Sequence, residues 1–151
     1  MNSTRREAAA PYWNEWNEGF VLAKREHKPV IAYFINGYRL HWTLEYPLFI
    51  PEIKRHLAKD WVCINIDIYP GYPTVTFHGK QMTTAGLAYY FHVDKFPAFL
   101  FFDKEGNPIQ TVTGFMREIT FGELLDYMEN EVYAKNISFE EYRKTLKATG
   151  R

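Results

Sequence analysis

The stretch Phe96-Pro97-Ala98-Phe99-Leu100-Phe101-Phe102-Asp103-Lys104-Glu105-Gly106 decides the fold. Five consecutive apolar residues after a proline read as a strand buried on both faces. Lys104 to Asn107 then supplies turn chemistry, and Ile109 to Thr113 returns antiparallel as a hairpin partner, broken at Gly114. A central strand of this kind needs layers on both sides, so the rest of the chain is read for what covers it.

Working back towards the start, Val30 to Phe34 is a second buried apolar strand, closed by Asn36-Gly37. Between these two, Trp61 to Ile68 alternates, with Val62, Ile64, Ile66 and Ile68 on one face and Trp61, Cys63, Asn65 and Asp67 on the other. Trp13, Trp16, Phe20 and Ala23 recur at three and four, which predicts an amphipathic helix over 12–26. A second helical region over 41–59 carries Leu44, Leu48, Ile53 and Leu57 inward and is kinked or divided by Pro47 and Pro51. Residues 69–81 hold Pro70, Gly71, Pro73 and Gly79 and read as an irregular excursion with Thr74 to Phe77 extended. Thr83 caps a short helix through Leu87 to Phe91. Towards the end, Thr120 with Glu123 and Ser138 with Glu141 both fit a capping box, which predicts helices over 121–133 and 139–148.

The order is helix, strand, helix, strand, helix, strand, hairpin strand, helix. It predicts a parallel pair joined by a right-handed crossover, an antiparallel hairpin added at one side, and helices on both faces of a mixed sheet. Residues 12–148 are expected to form one domain behind a flexible tail over 1–11.

Composition narrows the function. Eighteen basic residues balance eighteen acidic ones in a chain of 151, leaving no electrostatic footprint for nucleic acid or an anionic membrane. No apolar run approaches the roughly 18–20 residues that cross a bilayer, so no membrane insertion is expected. Aromatics at 18% predict an aromatic core. There is one cysteine, Cys63, which excludes an intrachain disulfide and a multi-cysteine zinc site.

Several strings resemble the thioredoxin-like superfamily. Lys28-Pro29-Val30-Ile31-Ala32-Tyr33-Phe34 is similar to the strand leading into the thioredoxin active site, and the stretch from Phe96 to Gly106 to the segment holding that family's cis-proline. Gly114-Phe115-Met116 with Phe121 and Leu124-Leu125 resembles its closing glycine and last helix. Phe49 with Pro51-Glu52-Ile53, Asp67, Phe77-His78-Gly79-Lys80 before Thr83, and Tyr133 with Ser138 to Tyr142 resemble the SoxW-type branch of bacterial thioredoxin-related proteins. The resemblance implies an α/β, thioredoxin-like three-layer sandwich with a mixed central sheet.

The departure lies where the family carries its CxxC pair. Counting from Phe34 places the pair near Arg39 and Trp42; counting back from Glu45 and Phe49 places it near Tyr38 and His41; neither register holds a cysteine. Thioredoxin chemistry needs a low-pKa thiolate and a second thiol that resolves the mixed disulfide. Cys63, within a strand, reads as a small core residue, with an intermolecular disulfide as the alternative.

The resemblance implies a groove between Tyr38, Arg39, Leu40, His41 and Trp42 on one side and Phe96 with a cis Pro97 on the other. Its partner is another protein or an extended peptide, paired to the backbone before Pro97 by strand addition. The alternative is that these aromatics are plain core. His41 stands one helical turn before Glu45 and reads either as a metal ligand or acid/base, or as a half-exposed histidine paired with that carboxylate. No HxH or HExxH motif completes a metal site, and no cofactor is expected. The functional expectation is a non-redox binding module, chaperone, adaptor or accessory subunit of a complex; the alternative is a thiol-related or metal-handling protein using His41 with Glu45. The family resemblance implies the periplasm for a mature form whose leader has been removed, whereas a native start at Met1 implies the cytoplasm.

Overall fold

A computed structural model describes residues 13–36, 48, 50–69, 74–114 and 116–149. The chain divides into two compact units, Met1–Phe115 and Met116–Arg151.

In the first unit, β1 (Trp13–Asn14), β2 (Val30–Ile35), β3 (Val62–Asp67), β6 (Ala98–Phe102) and β7 (Pro108–Thr113) form one sheet of order β1-β3-β2-β6-β7. β4 (Val75–Phe77) and β5 (Lys80–Met82) make a separate hairpin. β2 runs parallel to β3, with Val30 beside Val62 and Ile35 beside Asp67, and antiparallel to β6, with Val30 beside Phe102 and Phe34 beside Ala98. This is the mixed sheet that the alternation and the hairpin predict.

The two central strands are apolar along their length because both faces are covered. Val30, Ala32 and Phe34, Val62, Ile64 and Ile66, and Ala98, Leu100 and Phe102 meet Trp16 and Ala23 of α1 (Trp16–Glu26) and Leu87 and Ala88 of α3 (Thr84–Tyr90). Strand alternation sends Ile31, Tyr33, Phe99 and Phe101 to the opposite face, where they are also buried. α2 (Pro51–Asp60) packs against β3 and buries Leu57, so helices flank the sheet on both sides. Trp16 is the hub of the first face, with ring centroids of Phe20, Phe77, Phe91 and Phe102 within 4.8–6.0 Å. Each fully buried aromatic of this kind contributes about 1.5–3 kcal/mol of transfer free energy.

At the hairpin turn, Asp103 Oδ1 accepts from the backbone N–H groups of Glu105 and Asn107, both at 2.9 Å, and Gly106 takes a φ of 88°. Edge strand β7 begins on Pro108, where no ladder donor is needed.

The structure corrects four local expectations. The helix predicted from residue 12 starts at Trp16, and Trp13–Asn14 is instead a short edge strand parallel to β3, tied by Asn14 Nδ2 donating to the Cys63 carbonyl at 3.1 Å. Trp13 satisfies the helical spacing, but its backbone has a sheet edge to pair with, and tertiary pairing overrides the local pattern. The excursion over 69–81 contains a strand, β5, that the turn residues concealed.

The other two corrections fall in the second unit, where α4 (Glu118–Glu129) starts two residues before Thr120 with Arg117 at its N-cap, so Thr120–Glu123 is no capping box. Its end at Glu129 is followed by a 3-10 turn over Val132–Lys135 where one helix to Tyr133 was predicted, because Glu131 takes a positive φ of 53°. The second capping box is real: Ser138 Oγ accepts from Glu141 N, and Glu141 Oε1 from Ser138 N, opening α5 (Phe139–Ala148). In this unit Tyr127 Oη donates to the Ile137 carbonyl at 2.6 Å and Arg143 Nε to Glu123 Oε1 at 2.8 Å.

Candidate functional site

β2 and β6 are antiparallel neighbours, so the exit of β2 and the entry of β6 share one end of the sheet. Phe34 pairs with Ala98. One step further along the same register, Ile35, the last residue of β2, stands beside Pro97. The Phe96–Pro97 peptide bond is cis. Pro97 is buried, while Phe96 is half-buried and packs against the first-face core, which leaves part of its surface towards solvent.

Of the residues the sequence nominates, Phe96 and Pro97 are thus placed at the mouth of the sheet. Tyr38, Arg39, Leu40, His41, Trp42 and Glu45 lie outside the described residues. Most of the Tyr69 to Pro73 stretch does too; Tyr69 itself is exposed and donates its N–H to Asp67 Oδ1 at 3.0 Å.

Cys63 sits in mid-strand, paired with Ile31 on one side and Trp13 on the other. It is 4% exposed, and burial pushes its thiol up to about 12. Ile35 is four positions beyond Ile31 in β2, so the sulfur lies on the order of 13 Å along the strands from the mouth beside Pro97. A thiol that is neither ionised at neutral pH nor accessible is a poor nucleophile and a poor leaving group. The reading of Cys63 as a small core residue holds, and its burial removes the intermolecular disulfide.

Three other histidines occupy turns. His27, His78 and His92 take φ values of 57°, 53° and 59° at turn positions, and the His27 N–H closes the end of α1 on Ala23 and Lys24.

Sequence reasoning missed a second concave feature. At the carboxyl ends of β1 and β3, beside the start of α1, lies a cavity of about 380 Å³ whose walls include Trp13, Glu15, Asn65, Asp67 and Thr84. Thr84 Oγ1 donates to the Asp67 carbonyl at 2.9 Å, tying the start of α3 to the end of β3. The trace it leaves in the sequence is that Asn65 and Asp67 turn one face of β3 polar at its carboxyl end; the other wall residues come from distant segments that only the fold brings together.

A five-stranded mixed sheet of this order, flanked by helices on both sides, with a cis-proline entering the strand beside the first central one, defines a thioredoxin-fold protein. The Thioredoxin-like domain family model matches residues 16–129, and the chain belongs to that family. Similar solved structures include a thioredoxin-fold protein from Helicobacter pylori, at 21% identity over 82% of each chain with a TM-score of 0.64. A thioredoxin from Thermus thermophilus is 20% identical over 80% of this chain and 88% of its own, with a TM-score of 0.59. A disulphide isomerase from Xylella fastidiosa Temecula1 is 19% identical over 93% of this chain and 98% of its own, with a TM-score of 0.50. At these identities the likeness concerns the fold. No curated protein sequence matches the chain.

Proposed function

We propose that this protein is a binding module built on a thioredoxin scaffold, of the SoxW-type branch, that holds an extended segment of another protein without cycling a disulfide. The observation that carries the reading is chemical: the one cysteine is buried in mid-sheet with its thiol raised to about 12. Reducing a disulfide through a dithiol takes two sulfurs, one attacking as thiolate and one displacing it from the mixed disulfide. This chain has a single sulfur of that kind, and it stays protonated.

The groove in this proposal is the one the resemblance implies, between Phe96-Pro97 and the segment Tyr38 to Trp42. The Phe96 backbone offers its N–H and C=O to an extended peptide, which adds as a short strand, and the aromatic side chains of Tyr38 and Trp42 wall the partner's side chains. The partner is a protein for which this chain acts as chaperone, adaptor or accessory subunit, in the periplasm where the chain is a mature exported form.

Pull-down with a photoreactive phenylalanine analogue placed in turn at positions 38, 42 and 96, and at the exposed Glu140 as control, tests the reading. Crosslinks that map one extended partner segment to the first three positions and not to the fourth are expected. Contacts that avoid all three groove positions refute it.

A further inference from the structure

A second cavity lies at the end of the sheet away from Pro97. Phe20, Ala23, Lys24 and His27 fall at three- and four-residue spacing, so they share one face of the closing turns of α1. With Val30, the first residue of β2, and the turn Asp103 to Gly106 they line a volume of about 450 Å³. Val30 is five positions before Ile35, which places this cavity on the order of 16 Å along the strand from the mouth beside Pro97. We propose that it binds a zwitterion with an apolar body, an α-amino acid with an apolar side chain, independently of the groove at Phe96-Pro97.

Size and floor come first. The volume is within the range of roughly 300–1,000 Å³ that holds organic ligands. Ala23 and Val30 are buried, and the half-buried Phe20 ring is fixed by contacts with the rings of Trp16 and Phe102, at centroid distances of 4.8 and 4.9 Å. An apolar floor already packed in this way receives an aliphatic or aromatic group without rearranging.

The rim sets the charge pattern. Lys24 and Lys104 carry two positive charges and Asp103 and Glu105 two negative ones, so with His27 neutral the rim sums to zero and gives no net preference for a cation or an anion. Both signs are presented all the same. Lys24 reaches from α1 and Lys104 from the turn, and among the described residues neither ammonium, nor the Glu105 carboxylate, has a side-chain partner. Asp103 is committed to its own turn, through Oδ1 to the Glu105 and Asn107 N–H groups and through Oδ2 to Asn107 Nδ2 at 3.3 Å. The Ala23 and Lys24 carbonyls at the end of α1 are capped by the Lys28 and His27 N–H groups. An ammonium only donates and a carboxylate only accepts. A ligand carboxylate between the two lysines, with its ammonium on Glu105, therefore satisfies both kinds of group and leaves the cavity without net charge, while the apolar remainder covers Phe20 and Val30. An acid or an amine alone meets one kind and sets like charge against the other.

The test is a nuclear magnetic resonance titration of the full chain, following the Ala23, Val30 and Gly106 amides, with the Phe96 amide reporting on the groove. The probes are phenylalanine, 3-phenylpropionate, which lacks the ammonium, and phenethylamine, which lacks the carboxylate. Phenylalanine is expected to shift the first three signals, to leave Phe96 unmoved and to bind at least about tenfold more tightly than either single-charge probe. Lys24→Gln and Glu105→Gln, both at exposed positions, are each expected to weaken phenylalanine about fivefold to tenfold. Glu105→Gln is expected to leave 3-phenylpropionate no weaker, and Lys24→Gln to leave phenethylamine no weaker. No shift with phenylalanine, shifts centred on Phe96, a single-charge probe binding as tightly as phenylalanine, or phenylalanine affinity unmoved by Lys24→Gln or by Glu105→Gln would each overturn the proposal.

Discussion

Two glycines in two helices make a paired experiment on how α1 is seated. Gly19 in α1 lies so close to β3 that an added Cβ would stand 2.5 Å from Ile64 Cγ1, 2.7 Å from Cδ1 and 3.4 Å from Asn14 Cβ. Ile64 is 0% exposed and held in the sheet, so it has little room to yield. Gly122 in α4 has no atom within 4 Å of the same added carbon. Both substitutions to alanine gain about 1 kcal/mol of helix propensity. Gly19→Ala adds an overpacking cost of about 2–3 kcal/mol, leaving a net loss of about 1–2 kcal/mol. For a chain of this size that lowers the Tm by about 3–6 °C, while Gly122→Ala raises it by about 3 °C. Urea unfolding read by circular dichroism, with equal slopes required of both variants, measures the difference. Gly19→Ala as stabilising as Gly122→Ala would refute the close seat of α1 on β3, and with it the placing of β1 and of the cavity beside it.

The remaining predictions concern the thiol and the caps. Cys63 stays protonated in the folded state up to about 12 while the unfolded chain releases its proton near the ordinary value of 9, so its contribution is complete below pH 9 and is lost as pH rises towards 12. Relative to Cys63→Ala, the wild type is expected to lose about 1 kcal/mol in urea unfolding between pH 9 and pH 10, and parallel pH curves would contradict this. Iodoacetamide at pH 7.5 is expected to leave the native protein unlabelled and to add one equivalent after denaturation; rapid native labelling would show an exposed sulfur. Ser138→Ala is expected to cost about 1 kcal/mol, whereas Thr120→Ala, inside α4, changes stability by under about 0.7 kcal/mol with a gain in helix propensity, and equal losses at both sites would reverse the assignment of the caps.

The central sheet was legible because its strands carry unambiguous chemistry. Ala98 to Phe102 and Val30 to Ile35 are apolar without interruption, and Trp61 to Ile68 alternates with period two, so type, order and faces follow directly. Ser138 was legible for the same reason: its hydroxyl and the Glu141 carboxylate have no better local use than each other. Trp13 was misread because one aromatic fits both a helical stripe and a strand, and only β3, far along the chain, decides between them. Thr120 matches the capping pattern equally well, yet apolar packing of Phe121, Leu124 and Leu125 does not mark where the helix begins. At the candidate site, Phe96-Pro97 was readable from its flanking strand, while the cavity was not, because Glu15, Asn65 and Thr84 are ordinary polar residues until the fold gathers them.

The account as a whole is tested most directly by disulfide exchange. Purified wild-type protein, incubated with insulin and dithiothreitol beside a CxxC thioredoxin, is predicted to leave the precipitation rate at that of dithiothreitol alone. Acceleration that disappears in Cys63→Ser would mean that the buried sulfur reaches substrate, and the non-redox reading would fall.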